Sequence, residues 1–314
     1  MLNINTLRGD IINTAGILGV PYSENVIDRV LNAFGSQFSH QAVDLKTTTK
    51  SLPKRGLYFR YFRDLEDDKN PSCLAREIAK TTGLLIGVNQ ESDRLMSEIY
   101  ETFPLMADGA DFEVNRGFEK IWLFPKCHLS LDSIFKIKSL PSSIIHNATF
   151  LKQHNLDTVN LFGSDYYHNS ANLYFVVNHP DCQTSKFYKT LLKDLQFDIP
   201  EDSSLELLVN TGAIAFTFNW TSSKIERICC YIGGFTRETL PQDINKTLNK
   251  FVENCPASVS DPNFILGYSF GLKGGSGNYI KIEVDYNGKV MPLHANCLNP
   301  SRNNAVGNLT LSLT

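Results

Sequence analysis

The stretch GAIAFTFNWTSSKIERICCYI, residues 212–232, decides the fold. Two runs rich in aromatic and β-branched residues flank Thr221–Ser223, a connection short enough only for an antiparallel hairpin. In the second arm Arg227, Cys229 and Tyr231 share one face, and Ile228 and Cys230 the other. The same unit recurs along the chain. YIKIEVDY (279–286) sets Ile280, Ile282, Val284 and Tyr286 against Lys281, Glu283 and Asp285, and follows FILGYSFGL (264–272) across Gly274–Gly277. SANLYFVVN (170–178), with Asn172 and Tyr174 opposite Leu173 and Phe175, follows LDTVNLFGSDY (156–166) across His168–Ser170. FEKIWLF (118–124), with Lys120, Trp122 and Phe124 opposite Ile121 and Leu123, follows ADFEVNR (110–116) across Gly117. RGLYFRYF (55–62), with Tyr58, Arg60 and Phe62 opposite Leu57, Phe59 and Tyr61, follows HQAVDLKTTTK (40–50).

Helical periodicity precedes each pair. In SENVIDRVLNAF (23–34), Val26, Ile27, Val30, Leu31 and Phe34 share a face and Ser23 is placed to cap. Further helical stretches are CLAREIAKTTG (73–83), ESDRLMSEIYETF (91–103), short segments around 130–153, TSKFYKTLLKDL (184–195) and QDINKTLNKFVENC (242–255). The expected fold is α+β: five repeats of helix and strand pair, forming one domain over residues 1–314. Ten antiparallel strands can close into a barrel with helices outside, which removes every sheet edge. They can also lie open with the polar face in water. An open sheet would expose Tyr58, Trp122, Tyr174 and Tyr231 together, so the closed barrel is preferred. Its lumen is then wet, charged and lined by aromatic rings.

Composition narrows the partners. Of 314 residues, 42% are hydrophobic and 20% charged, which is globular rather than disordered. Thirty Lys and Arg against 33 Asp and Glu give a net charge of -3, so no broad basic field draws the chain to nucleic acid or an anionic membrane. An anionic ligand must be held by a few clustered cations. The seven cysteines show no CxxC spacing, which argues against a disulfide framework or zinc knuckle. The first residues, MLNINTLRGDIINTAGILGV, carry Arg8 and Asp10 and do not read as a signal peptide, and no apolar run is long enough to span a bilayer. The expectation is a reduced, cytoplasmic, monomeric protein without a metal site. DLEDD (64–68) reads as a solvated loop, and GLKGGSGN (271–278) as a hairpin turn rather than a phosphate loop.

The segments RGFEKIWLF (116–124), NLDTVNLFGSDYYHNSANLYF (155–175) and FNWTSSKIERICCYI (218–232) carry GF-x-K, L-D-x-V, D-Y, N-L-Y-F and N-W-x-x-x-K-I-E-R in that order. In these motifs the chain resembles the soluble ABBA-type aromatic prenyltransferases of the naphterpin and clorobiocin kind. Related fungal members of that family act on hydroxylated naphthalenes. The resemblance extends over essentially the whole length. It implies a ten-stranded barrel whose lumen transfers a prenyl group from its diphosphate to an electron-rich aromatic ring, in secondary metabolism. It also implies that Lys120, Arg227, Lys281, Asn172 and Tyr174 bind the diphosphate. Trp122, Asn160, Phe162, Cys229 and Tyr231 would then line the prenyl and aromatic pocket. Three positions depart from the family pattern. Tyr58 stands where magnesium-dependent members carry aspartate, so no cofactor is expected and Arg60 would supply the missing charge. His168 replaces a lysine at the diphosphate, and Ala215 replaces a tyrosine, reshaping the pocket.

The chemistry asks for these residue types. Ionising an allylic diphosphate leaves an anion, which fixed cations stabilise, and a carbocation, which aromatic faces stabilise by roughly 0.5–2 kcal/mol each. The ring must then lose a proton. Glu283, two residues from Lys281 on the same strand face, is the first candidate base, with burial raising its basicity, and Asp285 the second. Dimethylallyl diphosphate is the first choice of donor and a hydroxylated aromatic the acceptor. The rival reading is a non-catalytic barrel that carries an aromatic or isoprenoid ligand in its lumen.

Overall fold

The computed structural model describes residues 1–65, 75–85, 90–177, 179–241, 244–272 and 277–298. The strands are β1 (Ala42–Thr48), β2 (Leu57–Asp64), β3 (Leu105–Glu113), β4 (Gly117–Pro125), β5 (Leu129–Ser130), β6 (Thr158–Asp165), β7 (Ser170–Val176), β8 (Ala213–Asn219), β9 (Arg227–Phe235), β10 (Phe264–Gly271) and β11 (Tyr279–Asp285). All neighbouring pairs are antiparallel. Ten strands form a closed ring, sealed where β11 meets β1 and β4 meets β6, while the two-residue β5 is appended to β6. The barrel expected from the alternating faces is therefore the fold, and the open-sheet alternative is excluded by the β4–β6 pairing.

The helices are α1 (Ile4–Leu18), α2 (Glu24–His40), α3 (Ala75–Thr81), α4 (Gln90–Thr102), α5 (Leu131–Ile134), α6 (Ser142–His146), α7 (Ala148–Gln153), α8 (Ser185–Asp194), α9 (Asp202–Leu208), α10 (Lys246–Asn254) and α11 (Val290–Leu298). They pack on the outer aliphatic face. Phe34 and Phe38 of α2 lie against Phe59, Tyr61 and Phe112 with ring centroids 4.9–5.9 Å apart. Each such fully buried ring contributes roughly 1.5–3 kcal/mol. Ser23 caps α2 as its position suggested, accepting the Val26 N–H. Helix α1 was not anticipated, although Leu7, Ile11, Ala15 and Leu18 form its buried stripe.

Strand alternation also corrects one expectation. Phe162 points outward and stacks on Phe103 at 6.2 Å, so it belongs to the helix-covered core and not to the pocket. Its neighbour Gly163 is the residue that faces Trp122 across the β4–β6 pair, where an added Cβ would lie 3.1 Å from the indole. A register shift between Val159 and Leu161 lets Asn160 reach the lumen as well.

The turns joining β1–β2, β3–β4, β6–β7 and β8–β9 lie at one end of the barrel. Residues 66–68 of the DLEDD stretch and 273–276 of the GLKGGSGN turn lie outside the described residues. At the opposite end α11 enters the barrel like a stopper. Val290, Leu293 and Cys297 bury with Ala42, Phe62, Phe124 and Ile265, forming a second apolar cluster separate from the outer core. Asp285 accepts the Met291 N–H at 3.0 Å and so seats the first turn of that helix. Cys182, Cys229, Cys230 and Cys255 are free thiols.

Candidate active site

Inward-facing residues stack in three layers. At the mouth, beside the hairpin turns, stand Lys50, Lys54, Tyr58, Arg116, His168 and Tyr279. The middle layer holds Lys46, Lys120, Asn172, Thr217, Arg227 and Lys281. Below it, against α11, is a pocket of about 750 Å³ of empty space, counting its open part. Arg60, Trp122, Asn160, Tyr174, Glu283 and His294 are among the residues that line this pocket.

The middle layer is built to receive an anion. Arg227 Nη2 donates to Thr217 Oγ1 at 3.1 Å, and Thr217 donates to Asn172 Oδ1 at 2.7 Å. This leaves Arg227 Nε and Asn172 Nδ2 buried without partners. Orphaned buried donors cost about 1–3 kcal/mol each unless a ligand satisfies them. Lys281 Nζ donates to the Tyr231 hydroxyl at 3.1 Å. Among the described residues, neither Arg227, Lys281 nor Lys50 is ion-paired with a carboxylate. Lys120 lies 2.9 Å from Asp165, which also accepts the His168 backbone N–H at 2.8 Å and lies 3.0 Å from His168 Nδ1. Burial works against both charges, but the pairing holds Lys120 protonated and Asp165 well below the carboxylate range.

Tyr279 sits among these cations. Its ring centroid is 4.3 Å from Lys50 Nζ, 5.8 Å from Lys281 Nζ and 5.9 Å from Arg227 Cζ. Burial alone would raise the phenol, but Arg227, Lys281 and Lys50 outweigh it and bring it down to about 7. The phenol can thus lose its proton near neutral pH and serve these cations as an internal counter-ion, and an anion entering among them would have to reprotonate it. Below about pH 7 the phenol is already neutral and binding costs no proton. Above it, donor affinity should fall by up to about tenfold per pH unit. Calorimetric titration with dimethylallyl diphosphate from pH 6 to 9 checks this: the slope should vanish in Tyr279→Phe.

The lower layer corrects two expectations. Arg60 does not stand free for a diphosphate. Its Nε is 2.8 Å from Asp44 and 3.8 Å from Asp111, its Nη2 is 2.9 Å from Glu283, and its Cζ lies 5.1 Å from the centre of the Trp122 ring. Lys46 completes the network at 2.6 Å from Asp111 and places its ammonium 4.1 Å over the Tyr58 ring. Glu283 is not a raised base either. Burial would lift it, but Arg60, Lys46 and Lys281 together hold it below the ordinary carboxylate value. Asp285 is turned to the α11 backbone and does not line the pocket.

The other expected residues converge. Trp122 Nε1 donates to the Tyr174 hydroxyl at 3.1 Å, and Tyr174 faces Tyr231 with ring centroids 5.9 Å apart. Asn160 lines the pocket with its Oδ1 buried and unpartnered. Ala215 stands between Tyr174 and Cys229 in the register and leaves room there. Cys229 lies near Lys281 beneath Gly267. Tyr58 is at the mouth, its phenol pushed up mainly by burial and so kept neutral. Sequence reading missed Lys46, Lys50, Tyr279 and His294. Tyr279 and Lys46 were findable by extending the period-2 face of their strands.

The family model of the aromatic prenyltransferase Orf2 matches residues 2–296, and the chain belongs to that family. Relatives include the 5,10-dihydrophenazine-1-carboxylate 9-dimethylallyltransferase of Streptomyces anulatus, 25% identical over 89% of this chain and 92% of that one. An aromatic prenyltransferase of Arthroderma otae is 27% identical over 87% and 84%. The furaquinocin biosynthesis prenyltransferase of Streptomyces sp. (strain KO-3988) is 24% identical over 91% of both. Among solved structures, a 6-dimethylallyl tryptophan synthase superposes with TM-score 0.55 at 11% identity, covering 88% of this chain and 94% of that one. At that identity it speaks for the fold alone.

Proposed function

We propose that this aromatic prenyltransferase transfers a dimethylallyl group from its diphosphate to a hydroxylated aromatic ring, without magnesium. The observation that carries the reading is the pair of orphaned donors, Arg227 Nε and Asn172 Nδ2, beside Lys281, which among the described residues has no carboxylate partner, and directly above an aromatic pocket. A carrier of neutral ligands has no use for buried donors of that kind. As the C1–O bond breaks, both electrons go to the diphosphate among Lys120, Arg227 and Lys281. The allyl cation remains between Trp122, Tyr174 and Tyr231, whose faces stabilise it without offering a nucleophile.

The magnesium question turns on the place where other members carry aspartate. There the neutral phenol of Tyr58 lies under the Lys46 ammonium, and among the described residues no three His, Cys, Asp or Glu side chains are grouped so as to hold a metal ion. That donor set does not suit a hard dication, which needs several oxygen ligands. Lys46, rather than Arg60, brings positive charge to that spot. Incubation with dimethylallyl diphosphate and a panel of phenols in excess EDTA tests both parts. The expected outcome is a product heavier by one prenyl unit at the same rate as without chelator. Loss of all turnover in EDTA contradicts magnesium independence, and donor binding without product contradicts transfer.

A further inference from the structure

We propose that His294 is a catalytic residue, the base that takes the proton from the prenylated ring. The assignment rests on the transferase reading above and names a residue for its last step. His294 lies on α11, one turn after Val290 and Met291, on the stripe that plugs the barrel. It is the imidazole in a wall otherwise built of Phe62, Phe124, Ile265, Met291 and Cys297. Its ring meets Phe62 edge-on at 5.3 Å and stacks on Phe124 at 6.3 Å. These contacts fix its plane. Among the described residues nothing hydrogen-bonds its ring nitrogens. His128 is the contrast: its Nε2 lies 2.8 Å from the Cys297 carbonyl, as a structural histidine does. A polar ring placed on an apolar plug, facing the pocket and lacking a protein partner, calls for a partner on the ligand.

The competing groups are disqualified by their own contacts. Glu283 is bound to Arg60, and Asp285 to the backbone of α11. Burial holds His294 down at about 4, so at neutral pH the imidazole keeps a lone pair. Weak basicity is no handicap here. An arenium ion is far more acidic than any imidazolium, so an unprotonated base in contact with it suffices. The step balances: the new C–C bond has formed, the ring C–H electrons return to the aromatic system, and the proton moves to the imidazole. The imidazolium is favoured by the Glu283 carboxylate and opposed by burial and by the Arg60 guanidinium in the same pocket, so it readily passes its proton to water as product leaves.

The test compares wild type with His294→Phe, which keeps the packing on Phe62 and Phe124, and His294→Ala, using a phenolic acceptor and the same acceptor deuterated on its ring. In wild type, loss of the ring proton is fast and the two acceptors react at equal rates. In His294→Phe we expect turnover to fall about 10²-fold, with donor affinity unchanged and a primary isotope effect exposed. Imidazole added to His294→Ala should restore part of the rate. Wild-type turnover in His294→Phe, or a slow variant with no isotope effect and no imidazole rescue, overturns the assignment. A wild-type enzyme that prenylates no phenol at all overturns the transferase reading together with it.

Discussion

Arg227→Ala loses turnover by at least about 10²–10³-fold while the fold stays intact. Among the described residues the guanidinium pairs with no carboxylate, and its one hydrogen bond is to Thr217. Removing it leaves no buried carboxylate uncompensated, so thermal stability should be nearly unchanged. On the proposed reading, what disappears is the donor that meets the developing charge on the leaving diphosphate. Arg227→Lys should recover little, because a single ammonium cannot reproduce a planar two-pronged contact. Product mass and a melting curve on the same preparation check both halves. Wild-type turnover in the alanine variant would remove the diphosphate from this layer.

Arg60→Met shows the opposite balance. Asp44, Asp111 and Glu283 converge on this one guanidinium, and all four side chains are at most 5% exposed. Taking one partner from a buried ionic cluster typically costs about 3–5 kcal/mol, far more than the cluster contributes when complete. The variant should therefore unfold at much lower urea. The deficit has a definite pH sense. Arg60 holds Glu283 below its ordinary value, so that part of wild-type stability is present above the unfolded carboxylate range and is lost as pH falls through the folded one. The gap between wild type and variant should accordingly narrow in acid. A variant as stable as wild type at neutral pH would mean that the carboxylates are compensated elsewhere.

Much of this architecture was readable before the structure. Period-2 alternation separated lumen from core residues, so Lys120, Asn172, Tyr174, Arg227 and Lys281 were correctly gathered on one inner face. Alternation cannot state ring closure, because β4 and β6 pair across residues 126–157 with α5 to α7 between them. Nor does it state cross-strand register. Arg60 looked like a free cation because its partners come from three other strands, β1, β3 and β11, the last at the far end of the chain, and only the register brings them to it. Phe162 differs for another reason: alternation sets it on the same face as Asn160, and the register shift between Val159 and Leu161 turns it to the outer face. His294 gave almost no signal, since a short helix through Met291 and Pro292 betrays nothing of the barrel it closes.

We place the diphosphate in the middle layer, with its prenyl chain directed toward α11. A crystal structure with dimethylallyl S-thiolodiphosphate tests this placement. Phosphate oxygens are expected on Arg227 Nε, Asn172 Nδ2, Lys120 and Lys281, with the five-carbon chain between Trp122, Tyr174 and Tyr231. A diphosphate held only at the mouth by Lys54, Arg116 and His168, with its chain away from the pocket, would contradict it.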